Sequence, residues 1–314
     1  MFNIIERRYL FFAISSVVII PGLVAMIICM IQFGTPVKLS IDFTGGALQE
    51  LRFDQPVQPG EVRQVFVNRG YGDTTVQTAG QGRTALIRSK FLDSETKVQL
   101  QADLRDRLGP FEEMRFEAVG PTIGGEVTRA AGIAVLAASL VITAFIWWAF
   151  RKVPHSFRYG VCAIAAMIHD VLVVVGLAAI AGLLIGFEVD ALFLTALLTV
   201  IGFSVQDTIV VFDRIRENIP KRRGEDYETI VNRSLLETLH RSLATQLNAI
   251  YVLIALLLFG GSTIRQFVAV LLVGLMSGTY SSIFNAVPLL VVWEKGEVGN
   301  FFRRVLGRPS RATT

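Results

Sequence analysis

The sequence predicts a polytopic α-helical membrane protein: six transmembrane helices, with one small α+β domain between the first and the second. Three observations carry this prediction. Of 314 residues, 52% are hydrophobic and only 18% are charged, with a mean hydropathy of +0.54. A soluble chain of this size carries about 25% charged residues. Six stretches also reach the length of about 20 apolar residues that a helix needs to cross a hydrocarbon core. Basic residues, finally, collect in alternate connections between those stretches.

The first stretch, about 10–33, is longer than the ~7–15-residue apolar region of a secretory signal, and no small-x-small cleavage pattern follows it. It is expected to be an uncleaved span. The others are expected at about 128–150, 159–186, 190–212, 240–260 and 266–293. The fifth is marginal, because its cleanly apolar part runs only from Ala249 to Phe259. To cross, it must start near His240 and carry Arg241 and Asn248 into the bilayer. The domain plan is therefore 1–33 for the N-terminus and first span, 34–126 for the α+β domain, 127–293 for the remaining spans and 294–314 for a C-terminal tail.

Segment 34–126 has mixed charge and soluble composition. Ala47–Phe53 follows a glycine pair and reads as a strand. Pro59–Arg69 places Val62, Val65 and Phe66 at helical spacing, and Gly70 stops it. Thr74–Thr78 and Thr84–Ser89 read as strands. Asp93 and Ser94 can cap a helix carrying Leu100, Leu104 and Leu108, and Phe111–Val119 is a final strand. This β-α-β-β-α-β order is the ferredoxin-like split motif.

Orientation follows from Lys and Arg. Arg7 and Arg8 precede span one; Arg151, Lys152 and Arg158 lie between spans two and three. Lys221, Arg222 and Arg223 lie between four and five, and Lys295, Arg303, Arg304, Arg308 and Arg311 follow span six. The opposite connections, 187–190 and 260–265, hold one basic residue between them. Both termini are expected in the cytoplasm and segment 34–126 outside it. The net charge of +4 is small, and no basic patch is interleaved with aromatics, so nucleic-acid binding is excluded. Cys29 and Cys162 lie in apolar runs near opposite ends of their helices and are not expected to meet.

Ionisable groups within spans are costly and mark function. His169 and Asp170 sit near the middle of span three, Asp207 in span four and Arg241 at the start of span five. Asp207 lies about five residues, or ~7–8 Å, from the end of its span, and Arg241 begins the next span from that same end. Similar depth predicts an Asp207–Arg241 pair and a carboxyl able to relay protons. The alternative is an Arg241 that snorkels to the headgroups and an Asp207 that only caps polar structure. His169 and Asp170 form a second candidate proton site. As neighbours pointing about 100° apart on a helix, they are not expected to bond to each other. Thr195, Thr199, Gly202 and Gln206 form a small, polar stripe on span four, expected to face other helices or a wet cavity. On span six, Gly274 and Gly278 permit close helix contact, and Ser277, Ser281 and Asn285 continue one side. No nucleophile elbow, metalloprotease or Walker motif is present, so no enzymatic activity, cofactor or metal is expected.

Several segments together resemble the SecF family of protein-export subunits. They are Asp42-Phe43-Thr44-Gly45-Gly46, Val119–Gly124, Ile201–Asn218, His240–Thr245, Leu256–Gly261 and Gly278–Ser282. The likeness runs over essentially the whole chain, and Ile201–Asn218 is its most specific part. Gln206 stands where the family often has Asn, and Asn248 intrudes into span five. The resemblance implies one six-helix half of an RND-type transporter in a bacterial inner membrane. It implies a SecD partner, the SecYEG channel, YajC, membrane lipid and an unfolded exported polypeptide as contacts. It also implies use of the proton gradient to promote late steps of translocation, with the family's pathway Asp and Arg falling on Asp207 and Arg241. A small-molecule or lipid exporter half, and a subunit that only holds SecD in place, are the competing expectations.

Overall fold

The computed structural model describes residues 3–151, 156–222 and 224–296. Lys152, Arg223 and the basic residues of the tail beyond Gly296 lie outside the described residues. In chain order the elements are α1 (Arg8–Phe33), the one-turn α2 (Ile41–Thr44), β1 (Gly46–Phe53), α3 (Pro59–Asn68), β2 (Thr75–Ala79) and β3 (Thr84–Ser89). Then come α4 (Ser94–Leu108), β4 (Phe111–Val119), α5 (Pro121–Phe150), α6 (Ser156–Ile185), α7 (Ala191–Lys221) and α8 (Tyr227–Phe259). Finally α9 (Ser262–Ser281) passes through a π-turn (Ser282–Ala286) into α10 (Val287–Glu294). The chain divides into two units, residues 39–134 and the remainder; α5 contributes to both.

The smaller unit holds a four-stranded sheet in the order β2-β3-β1-β4, antiparallel throughout. Its core joins Ala47, Leu51 and Phe53 of β1 and Ala85 and Ile87 of β3 to Val62, Val65 and Phe66 of α3 and Leu100 and Leu104 of α4. Two periodicities therefore meet in one core: every second residue on the strands, every third or fourth on the helices. Pro59 opens α3, where a missing N–H costs nothing. Asp93 caps α4 by accepting from Thr96 N–H at 2.7 Å. Gly45 and Gly46 hold positive φ angles, +71° and +126°. A Cβ on Gly45 would stand 2.9 Å from Pro121 Cα, and one on Gly46 2.7 Å from Ser89 O. The pair thus lets the chain enter β1 against the first turn of α5, and about two turns further on Thr128 Oγ1 donates to Phe43 O at 3.1 Å.

Among the described residues six helices are long and apolar enough to cross a membrane, one of them, α5, beginning in the smaller unit. The α1–α6 crossing is set by Gly22 and Gly176; a Cβ on either would stand within 2.9 Å of the other's Cα. The helix that carries span five, α8, already begins at Tyr227, thirteen residues before His240. Its early turns carry Glu228, Arg233 and Glu237, which hide a buried stripe of Ile230, Ser234 and Thr238 from a hydropathy window. Charged pairs gather at this end of the helices. Arg8 meets Glu228 at 3.2 Å, Arg214 meets Glu237 at 2.6 Å, and Arg158 pairs with Glu294.

Gln49 on β1 is 1% exposed, and neither its amide nitrogen nor its carbonyl oxygen has a partner. An unsatisfied buried amide costs about 1–3 kcal/mol. Gln49→Leu is therefore expected to stabilise the sheet by about 1–2 kcal/mol, read as slower hydrogen exchange at β1 and β3 amides in the full-length chain; faster exchange would refute the accounting. The Asp93 carboxyl is held below its usual range by the Thr96 N–H. Its contribution is present above the unfolded pKa and is lost as pH falls through the lower folded value. Asp93→Asn keeps the cap without the titration, so acid melting of the variant should depend less on pH below about 4. Identical profiles for variant and parent would remove the charge from the account.

Candidate functional site

Asp170, in the middle of α6, is fully buried, at 0% exposure. Four groups converge on its two oxygens. Ser277 Oγ of α9 donates to Oδ1 at 2.6 Å. Ser204 Oγ of α7 donates to Oδ2 at 2.5 Å, and Ser281 Oγ of α9 donates to Oδ2 at 2.7 Å. His169 Nδ1 lies 3.0 Å from Oδ1. The sequence expectation that His169 and Asp170 do not bond to each other is thus corrected. Their Cβ atoms diverge around the helix, but both side chains turn back toward the same seam, and two short reaches close the gap. Small residues make room for this cluster. Gly278 packs on Ser204, and a Cβ on Gly274 would fall among the methyls of Val200. Ser277 and Ser281 are one turn apart, so both hydroxyls reach one carboxylate.

Asp207 lies on the buried face of α7 with Val200, Ser204 and Thr208, and is 8% exposed. Its carboxylate accepts from Gln246 Nε2 at 2.5 Å. The expected Asp207–Arg241 ion pair is not formed: Arg241 is exposed and makes no ion pair among the described residues. The reasons are depth and azimuth: Gln246, the residue of α8 level with Asp207, lies five residues past Arg241, or ~7–8 Å along the helix. Ser234, Thr238, Ser242 and Gln246 recur every fourth residue on the buried stripe of α8. Arg241 precedes Ser242 and so points about 100° away from that stripe. Thr208 Oγ1 lies 3.0 Å from Ser282 Oγ, which also donates to Ser204 O at 3.2 Å. The Thr208 and Ser282 hydroxyls thus meet over the backbone carbonyl of Ser204, whose own hydroxyl serves Asp170.

Known proteins resolve what these helices belong to. Residues 99–296 match the family described as "Protein export membrane protein SecD/SecF, C-terminal", and residues 31–57 match the SecD/SecF GG motif. A protein translocase subunit SecF from Anaerolinea thermophila is 52% identical, over 97% of this chain and 98% of its own. One from Thermobaculum terrenum is 48% identical over the full length of both chains. The crystal structure of SecDF, a translocon-associated membrane protein from a Thermus species, superposes with a TM-score of 0.77 at 32% identity. That match covers 94% of this chain and only 39% of SecDF, so the chain spans about two fifths of the solved protein's length.

The chain belongs to the SecD/SecF family. It is accordingly an accessory subunit of the Sec protein translocase, and a multi-pass membrane protein. The glycine pair at Gly45 and Gly46 is the family's GG motif, with Asp42 and Phe43 on the one-turn α2 just before it.

Other residues singled out from the sequence fall in several places. Asn285, in the π-turn, is paired with Ser15 of α1 at 2.9–3.0 Å. The Thr195–Gln206 stripe lies off the most buried face of α7, with Gly202 and Gln206 turned toward α5 across a groove. Thr195 and Thr199 donate to carbonyls of their own helix. Gly202 and Gln206 are exposed, along an apolar groove of about 410 Å³ walled by Val141, Ile142 and Phe145. The buried stripe of α7 lies to one side, through Ser204 and Asp207. Gln246 and Ser204 were not singled out; a fourth-residue polar repeat along α8, and a serine three residues before Asp207, were their only signals.

Ser204 and Ser281 both serve Asp170 Oδ2. Replacing either by Ala is expected to lower stability in detergent by about 1–2 kcal/mol. The double variant should depart from additivity, because the two share one acceptor. Additive losses in a thermal-melt cycle would separate them.

Proposed function

We propose that the chain, together with a SecD partner, uses inward proton movement to promote late steps of polypeptide translocation through SecYEG, and that Asp207 is the carboxyl that takes up and releases the proton. It sits in the bacterial inner membrane with both termini cytoplasmic, as six spans and the basic connections support. YajC is a further contact. Among these claims the proton role has the most direct physical support.

That support is a single observation: a buried intramembrane carboxylate whose partner is a neutral amide. Gln246 can serve either protonation state. Its Nε2–H donates to the carboxylate, and after rotation its Oε1 accepts from the carboxylic acid. Neither form of Asp207 is then stranded without a hydrogen bond, so proton uptake does not require the helices to separate. Protonation does remove the negative charge that holds the amide nitrogen, which loosens the α7–α8 contact. Arg241 remains in the scheme on the neighbouring face of α8. A turn of that helix by about 100° carries it toward α7. His169 and Asp170 form the second member of the relay, tied to α7 through Ser204.

Asp207→Asn keeps the amide contact and removes the charge. Reconstituted with SecD and SecYEG, it is expected to lower proton flux and proton-driven export about tenfold or more, while SecD still co-purifies. Unchanged flux rules out the role of Asp207. Loss of SecD co-purification would favour a subunit that acts only in assembly.

A further inference from the structure

We infer that the groove between α1, α6 and the π-turn is hydrated, and that water at His169 Nε2 exchanges protons with the His169–Asp170 dyad. The inference deepens the relay reading above, but its first half stands without it. The groove has a volume of about 280 Å³. Its polar lining is Ser15, Ser16, His169 and Asn285, between walls that include Phe12 and Leu289. His169 Nε2 is buried and has no hydrogen-bond partner. A buried ring nitrogen without a partner is rare and calls for a ligand. The groove it lines has room for several water molecules, and a bound water needs two to four polar neighbours.

The chemistry of the ring says which ligand. Asp170 Oδ1 takes the Nδ1 side of the imidazole at 3.0 Å. A carboxylate only accepts, so Nδ1 carries the ring's proton and Nε2 is left with a lone pair, on a residue that lines the groove. That lone pair needs an O–H donor, and water fits the space between the hydroxyls and the amide. Hydronium in the groove passes its proton to Nε2 and becomes water. The ring then holds two protons, with its positive charge beside Asp170; release of the Nε2 proton to water reverses the step.

The surroundings keep this exchange specific. From α9, Tyr280 stacks on the imidazole at 6.2 Å, and its hydroxyl is committed to Phe11 O at 2.8 Å. From α1 come Ser15 and Ser16, with Ser16 Oγ donating to Phe12 O at 2.9 Å and keeping its lone pairs. The π-turn brings Asn285, α10 brings Leu289, and α7 brings Ser204 to the far side of Asp170. Asp170 and Tyr280 are thus the titratable groups facing His169.

The test uses the full chain with its SecD partner in proteoliposomes, with Cys29 and Cys162 replaced by Ala. Ser16→Cys, in the groove, is compared with Ile20→Cys, which is 58% exposed on an apolar stretch of α1. A charged methanethiosulfonate reacts with thiolate, which forms only where water reaches the sulfur. Modification about tenfold or more faster at Ser16→Cys is expected. Equal rates mean a dry groove and overturn the inference, whatever happens to export. In a second arm, His169→Gln keeps a polar side chain that cannot take up a proton. About a tenfold fall in proton flux is expected, with SecD co-purification and melting temperature reporting on folding. Flux unchanged in His169→Gln but lost in Asp207→Asn overturns the role of His169 and leaves that of Asp207 standing. The opposite pattern supports this inference and removes the Asp207 reading.

Discussion

A carboxylate in a membrane-spanning helix must be surrounded by donors or cost several kcal/mol in lost hydration. Asp170 meets that demand with three serine hydroxyls and an imidazole, drawn from α6, α7 and α9. Much of the helical packing is a consequence. Hydroxyls reach only a short distance from their backbones, so α7 and α9 must approach α6 closely. Residues without bulk make that possible: Gly274 against Val200, and Gly278 against Ser204 and Asp170. In lipid, where apolar contact gives little preference for one helix neighbour over another, such polar and small residues decide which helices meet. The glycines and the carboxylate are two parts of one constraint.

The two buried acids are solved differently, and the difference bears on what each can do. Asp170 has four partners over both oxygens and no exposure. Asp207 has one amide partner and 8% exposure. A saturated carboxylate is a fixed point, since moving any neighbour leaves a donor or an acceptor unpaired. A carboxylate held by one reversible amide can change state with a single side-chain rotation. The proposed proton coupling uses both kinds of group: one that changes state with little rearrangement, and one that converts a small change into a choice between helix arrangements.

The sequence made the membrane architecture legible because lipid imposes a simple rule. Six apolar runs had to be six helices, and Ala47–Phe53, Asp93 and Leu100/Leu104 marked the sheet domain by period and cap. It did not disclose the start of α8, since a helix that carries Glu228, Arg233 and Glu237 outside the hydrocarbon looks like a loop to any average. Counting residues from the span ends put Asp207 and Arg241 at one depth, yet Asp207 is level with Gln246, and azimuth could not be counted at all. Which face of α8 turns inward is decided by Ser234, Thr238, Ser242 and Gln246 together, and that repeat is faint beside the apolar signal. The His169–Asp170 bond was missed for a related reason. Helical angles fix where Cβ points, while the last two or three bonds of each side chain decide what it touches.

The π-turn at Ser282–Ala286 connects these levels. One wide turn shifts the register of span six, so residues before and after it face different neighbours. Before it, Ser277 and Ser281 face Asp170. Within it, Ser282 turns to Thr208 and Ser204 O on α7, and Asn285 to Ser15 on α1. The irregular turn lets one helix serve the saturated acid, the Thr208–Ser282 hydroxyl pair and the groove lined by His169. Any shift of α9 against α7 must be felt at all three.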